Sequence, residues 1–132
     1  MRIGKISEPI LKRSVIKQIN HRRDEVIAGP GVGMDCSAMR VNEEEDLLFT
    51  TNPVNVPVDM LSEVAIHSAA NDITAAGGEL AGVLLNILLP EGFTESQLRN
   101  MMVGAEKTCE IYHAEIMGGH TEVTASVNRP IL

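Results

Sequence analysis

A chain of 132 residues has the length of one domain and can bury about two-thirds of the surface its unfolded form exposes. With 44% apolar and 22% charged residues it is not disordered, collagen-like or a coiled coil, and with only Phe49, Phe93 and Tyr112 as aromatics its core must come from Leu, Ile, Val, Met and Ala. A net charge of −7 and so few stacking rings exclude a nucleic-acid platform.

The charge is uneven. Residues 1–23 hold seven of the eleven basic side chains (Arg2, Lys5, Lys12, Arg13, Lys17, Arg22, Arg23) against one acid, Glu8, leaving four basic and seventeen acidic residues for the body. Residues 1–28 read as a basic arm, either solvated or docked on its own acidic body or on an anion, and 29–132 as the domain proper. The first 25 residues lack the apolar stretch of a secretory signal. The longest apolar run, Ala81 to Leu89, is far shorter than the ~20 residues a membrane helix needs. A cytoplasmic chain with no membrane partner is expected, with Cys36 and Cys109 used in packing.

In chain order, Leu11, Val15, Ile16 and Ile19 predict a short amphipathic helix near 9–20. Gly29-Pro30-Gly31-Val32-Gly33 breaks it. Cys36–Val41 and Leu47–Thr51 read as strands of a hairpin around the acidic turn 42–46, ended by Pro53. Asp59 predicts the cap of a helix carrying Leu61, Val64, Ala65, Ser68, Ala69, Asp72, Ile73 and Ala76 on one side and stopping at Gly77-Gly78. Glu79–Leu89 fits a buried strand. Thr94 and Gln97 match a capping box, opening a helix with Leu98, Met101, Met102, Ala105, Cys109 and Tyr112 as its stripe. Glu115–Met117 and Thr121–Val127 read as two strands around Gly118-Gly119. The order predicts an α+β two-layer domain: two helices on one face of a mixed sheet of four to five strands.

Four places carry polar or glycine-rich chemistry. Glycines 29–33 let backbone N–H groups approach a phosphate, although no Walker lysine follows and a simple link fits equally well. Asn71-Asp72 lies in an otherwise Ala-rich helix, where a buried unpaired carboxylate is costly; it is either solvated near the helix end or a Mg²⁺ or ligand carboxylate. Thr50-Thr51-Asn52 ends a strand before Pro53, where a turn starter is the plainer reading. His120, in Gly118-Gly119-His120-Thr121-Glu122, is a structural loop residue, a ligand or a proton carrier.

GPGVGMDCSA, TTNPV, VAIHSAANDITAAGGELAGVLLNILLP and IMGGHTEVT, taken together and in this order, resemble the N-terminal domain of the aminoimidazole ribonucleotide synthetase family. Its superfamily includes hydrogenase-maturation carbamoyl dehydratase, selenophosphate synthetase and thiamine-monophosphate kinase. The resemblance runs from about Ile3 to Val127 and is nearest to the hydrogenase-maturation branch. It implies a homodimer whose paired sheets close a barrel, and ATP with Mg²⁺ used to activate a substrate by phosphate transfer. By position it implies nucleotide or phosphate contacts at Gly31, Gly33, Asn71, Gly119, His120 and Thr121, and metal contacts at Asp35, Asp72, Asn52 and Glu122. Catalytic residues are not assigned.

The chain departs from the family where Met34, Asn52 and His120 stand in place of acids, which should lower metal affinity. It also stops at Leu132, ahead of the family's C-terminal domain, as either a fragment or a half that needs a partner chain. The alternative is a non-catalytic dimerisation or ligand-binding module that has lost its metal carboxylates. On either reading the chain alone is expected to turn over little ATP.

Overall fold

The computed structural model describes residues 4–132. Arg2, counted with the basic arm, and Ile3, where the resemblance begins, lie outside the described residues. The chain forms two compact units, Met1–Thr50 and Thr51–Leu132.

In the first unit, α1 spans Glu8–Ser14, with Pro9 in its first turn and Lys12 bridged to Glu8 one turn back. A 3₁₀ turn at Ile16–Gln18 follows, so the helix expected over 9–20 breaks in two. The break falls at Val15 and Ile16, whose β-branches cost rotamer freedom in a helix that buries none of its residues. Three short strands, β1 (Val26–Ala28), β2 (Ser37–Arg40) and β3 (Asp46–Phe49), make an antiparallel sheet in that order. The expected hairpin is β2–β3, with Ser37 opposite Phe49 and Arg40 opposite Asp46. Its turn closes on Asn42, whose Oδ1 accepts from the backbone N–H of Glu44 and of Glu45 at 2.8 and 3.0 Å. Arg40 Nε donates to Asp46 Oδ1 at 3.1 Å across the strands.

In the second unit, α2 (Leu61–Ala75) and α3 (Glu95–Ile111) share one core with β4 (Gly82–Leu89). Alternate residues of β4, namely Val83, Leu85, Ile87 and Leu89, are buried with Leu61, Ile66, Met101 and Cys109. A fully buried Leu or Ile contributes about 1.5–3 kcal/mol, so this cluster outweighs any exposed ion pair at about 0–1 kcal/mol. The parallel partner of β4 is β5 (Glu115–Val123), and α3 is the crossover that such a pair requires. Ile131 adds an antiparallel bridge to Leu88.

The α+β class stands, with two corrections to its sheet. Among the described residues there is no single mixed sheet: five strands divide into an antiparallel three and a parallel two, one set in each unit. Pro53 and Pro57, which lack N–H donors, interrupt the segment between β3 and α2. The two strands expected around Gly118-Gly119 are one continuous strand, because those glycines hold φ of 145° and 146° and pair with Leu84 and Leu85.

The capping box at Thr94 forms: its Oγ1 accepts from Gln97 N–H at 3.3 Å, and Gln97 Oε1 accepts from Thr94 N–H at 2.9 Å. Asp59 does not cap α2. A turn closed by Met60 N–H on Pro57 O carries the chain one residue further, and Met60 takes the N-cap position without a side-chain bond. The buried face of α2 also differs from the expected stripe. It holds Ser62, Ile66 and Ala70 beside Leu61, Ala65 and Ile73, while Ser68, Ala69 and Asp72 are half-buried and Ala76 is exposed. The reason lies opposite: a Cβ on Gly104 would sit 2.8 Å from Ser62 Oγ, so that glycine lets α3 close over this side of α2. His67 Nδ1 lies 2.6 Å from Tyr112 OH and ties the two helices again.

Both helices end in the paired 6→1 and 5→2 bonds of a Schellman motif, Gly78 to Ile73 with Gly77 to Thr74, and Ala114 to Cys109 with His113 to Glu110. The first uses Gly77 at φ 88°; the second places His113 at φ 54°, where glycine is usual. Among the described residues no helix is long and apolar enough to cross a membrane.

Burial, with Glu106 adding to it, pushes the Cys109 thiol above its ordinary value of 9.0. The folded chain therefore keeps this proton through a pH range in which the unfolded chain loses it. The stability is present below pH 9 and declines as pH rises towards the folded value. Urea midpoints should fall more steeply as pH rises above 9 in the wild type than in Cys109→Ala. Equal slopes would remove the thiol from this account.

Candidate nucleotide and metal site

The expected site residues fall into three local structures. The first is the glycine-rich segment before β2. Gly33 takes φ 76°, and Met34 N–H turns back to Gly31 O at 3.4 Å. Gly31 is half-buried against Met34, whose Cγ would lie 3.0 Å from a Cβ placed there. Asp35 is exposed, and its carbonyl accepts from Thr50 Oγ1 at 3.0 Å. That bond anchors the segment to the residue after β3, a link not evident in the sequence.

The second lies in the other unit. Asp72 stands in the last turn of α2 and is half-buried, as is Asn52. Asn52 Nδ2 donates to Asp72 Oδ2 at 2.7 Å. A carboxylate in the last turn faces the negative end of the helix dipole, a cost of about 0.3–1 kcal/mol that burial increases. The amide N–H offsets this cost, and a cation would offset it further. Asn71, next in the chain, is exposed on α2.

The third is β5. Gly119 passes so close to β4 that a Cβ would lie 1.9 Å from Leu85 O, whereas at Gly118 the nearest atom would be Leu84 Cδ2 at 3.8 Å. His120 pairs in register with Asn86, and Glu122 with Leu88. With the strand's alternation, His120 and Glu122 therefore share the face opposite the buried residues of β4. His120 Nε2 lies 3.2 Å from Glu122 Oε2, in an exposed pair. Thr121 is exposed on the same strand.

Hydrogen bonds thus join Asn52 to Asp72 and His120 to Glu122 as separate pairs. Among the described residues no three His, Cys, Asp or Glu side chains gather where they could hold a metal ion. Asn86 was not singled out from the sequence. Its signal was there: it is the one polar residue inside the run from Ala81 to Leu89.

Residues 33–132 match the AIR synthase related protein, N-terminal domain. The chain belongs to this family. A Methanocaldococcus jannaschii protein named for hydrogenase expression/formation is 24% identical, over 98% of this chain and 40% of its own length. The thiamine-monophosphate kinase of Aquifex aeolicus is 30% identical over 82 residues, 56% of this chain and 27% of the kinase. The solved structure of AaThiL complexed with AMPPCP and TMP has a TM-score of 0.73 at 20% identity, over 98% of this chain and 42% of that one. At that identity the likeness establishes the fold, and the AIR synthase-related α+β fold is the one described above. This chain spans about two-fifths of the length of the hydrogenase-related protein and of AaThiL.

The two glycines of β5 should respond differently to alanine. Gly118→Ala meets only backbone strain, about 1–3 kcal/mol. Gly119→Ala meets the same strain and the Leu85 carbonyl as well, so its loss should exceed that of Gly118→Ala by at least about 1 kcal/mol. Urea unfolding of both variants checks the order, and equal losses would contradict the close approach.

Proposed function

We propose that the chain is the ATP- and Mg²⁺-binding, dimer-forming N-terminal domain of a phosphate-activating enzyme of the hydrogenase-maturation and aminoimidazole ribonucleotide synthetase kind. The observation that carries this reading is the half-buried Asp72 carboxylate at the negative end of α2, where it meets the Asn52 carboxamide. Mg²⁺ is held by one or two carboxylates together with substrate phosphates, so it needs no three-residue protein cluster. A half-turn of the Asn52 carboxamide exchanges its N–H for Oδ1 and would give Asp72 a neutral oxygen beside it. Asp35 and Glu122 are the further metal candidates. Backbone N–H groups at Gly31, Gly33 and Gly119, with Asn71, His120 and Thr121, would hold the nucleotide and its phosphates. Bound Mg²⁺ would neutralise phosphate charge during transfer.

The dimer reading rests on the uncovered face of the β4–β5 sheet, where Leu84 is 70% exposed, with Met117 60% exposed on β5. A second copy's sheet covering this face would close a barrel and withdraw those side chains from water. The domain would then comprise 29–132, with 1–28 as its basic arm, working in the cytoplasm with a C-terminal domain or a partner chain. One observation favours the non-catalytic module instead: Asn52 offers Asp72 an amide, where a metal site would gain from a second acid.

Calorimetric titration with ATP, with and without Mg²⁺, separates the two readings. Wild type should bind Mg-ATP more tightly than ATP. Asp72→Asn should lose that gain, about tenfold or more, with its far-UV spectrum unchanged. Asn52→Asp should enlarge it. A gain untouched in Asp72→Asn would overturn the metal assignment, and no ATP binding in any form would favour the module.

Sedimentation should give twice the chain's 14.3 kDa at micromolar concentration, and Leu84→Glu should give the monomer. A monomeric wild type would remove the barrel.

A further inference from the structure

A bulge in β5 sets one methionine apart. Val83 pairs with Ile116 and Leu84 with Gly118, so Met117 is the extra residue between them and has no partner on β4. Ile116 packs inward against the core. The Met117 side chain turns the other way and lies across Gly82, where a Cβ would sit 2.8 Å from its Cγ and Sδ. Gly82 alternates with the buried Val83, which places this contact on the outer face of the sheet. Further along the same face Leu84 lies over Gly118, as the 3.8 Å from Leu84 Cδ2 to a Cβ there shows. Each large apolar side chain thus stands over a glycine of the neighbouring strand, which leaves its far end in water.

Met117 is the most exposed of the described methionines, ahead of Met34, Met60 and Met39. Met102 is half-buried and Met101 lies in the core. Met117 is also the one methionine on β4 or β5. An exposed thioether is a nucleophile. Its sulfur attacks one oxygen of hydrogen peroxide, an S–O bond forms, and the O–O bond breaks. The other oxygen takes up the proton and leaves as water. Sulfur gives up two electrons and peroxide gains them. The product converts an apolar side chain into a polar, hydrogen-bond-accepting one. Withdrawing that sulfoxide from water against apolar side chains is unfavourable, and a two-fold dimer would bury it twice.

We propose that the Met117 thioether is a site of reversible oxidation by hydrogen peroxide, and that its sulfoxide keeps a second copy of the chain off the β4–β5 sheet. The proposal rests on the dimer reading of that face. Pairing and oxidation then compete: the single chain is open to peroxide and the paired chain is shielded. A dithiol reductant returns the sulfoxide to the thioether, releasing water and becoming a disulfide.

The test treats the full chain with hydrogen peroxide and follows it by peptide mass mapping and sedimentation. Met117 should gain one oxygen before Met34, Met39 and Met60 do. The dimer dissociation constant should rise about tenfold or more, and a methionine sulfoxide reductase with a dithiol should reverse both changes. Met117→Leu, which conserves volume, should stay dimeric through the same treatment. Met117→Gln should weaken the dimer without peroxide, which keeps the test open if Met117→Leu does not fold. In the monomeric Leu84→Glu chain Met117 should oxidise faster than in wild type at equal concentration. An unchanged dissociation constant after Met117 is oxidised would overturn the switch, as would loss of the Met117→Leu dimer on treatment. A wild type that is monomeric before any peroxide is added would overturn the dimer reading and the switch with it, so the two failures are told apart by the untreated sample.

Discussion

The passage of Gly119 across the Leu85 carbonyl is the contact on which the second unit depends. Parallel pairing of β4 and β5 runs over eight positions of β4, from Gly82 to Leu89, with a one-residue shift between Val83 and Leu84 that leaves Met117 without a partner on β4. At Leu85 that register leaves no room for a Cβ on the facing residue. The same pairing returns the chain to β4 after α3, which lets both helices bury their apolar faces against Val83, Leu85, Ile87 and Leu89. The glycines prominent in GGHTE are therefore first a packing requirement, and any ligand role is added to that.

Electrostatics then decides how the polar residues can be used. Asp72 is placed where both the helix dipole and partial burial oppose its charge, and Asn52 supplies a neutral compensation. His120 and Glu122 are exposed on β5, where an ion pair adds little to stability, so their side chains are available to a ligand at low energetic cost.

Much of this was legible beforehand for identifiable reasons. Thr94 and Gln97 act within one turn of helix, so their spacing alone predicts the box that forms. Gly77-Gly78 terminates α2 for the same local reason. The β2–β3 hairpin followed from β-formers around a polar turn. What escaped were choices made by distant neighbours. Asp59 had the right chemistry for a cap, yet the turn starting at Pro57 moved the helix start past it. The buried face of α2 was misread because Gly104, forty-two residues beyond Ser62, determines which side α3 can approach.

The sequence by itself determined the α+β class, the positions of the two long helices, the family resemblance and the candidate polar residues, because each is written in short-range spacing or in motif order. The tertiary structure alone decided that the strands form two sheets, that Gly118-Gly119 continue a strand, and that Asn52 meets Asp72 across twenty residues. Those outcomes depend on which backbones approach one another, and long-range approach is set by packing and loop closure over the whole chain, not by local periodicity.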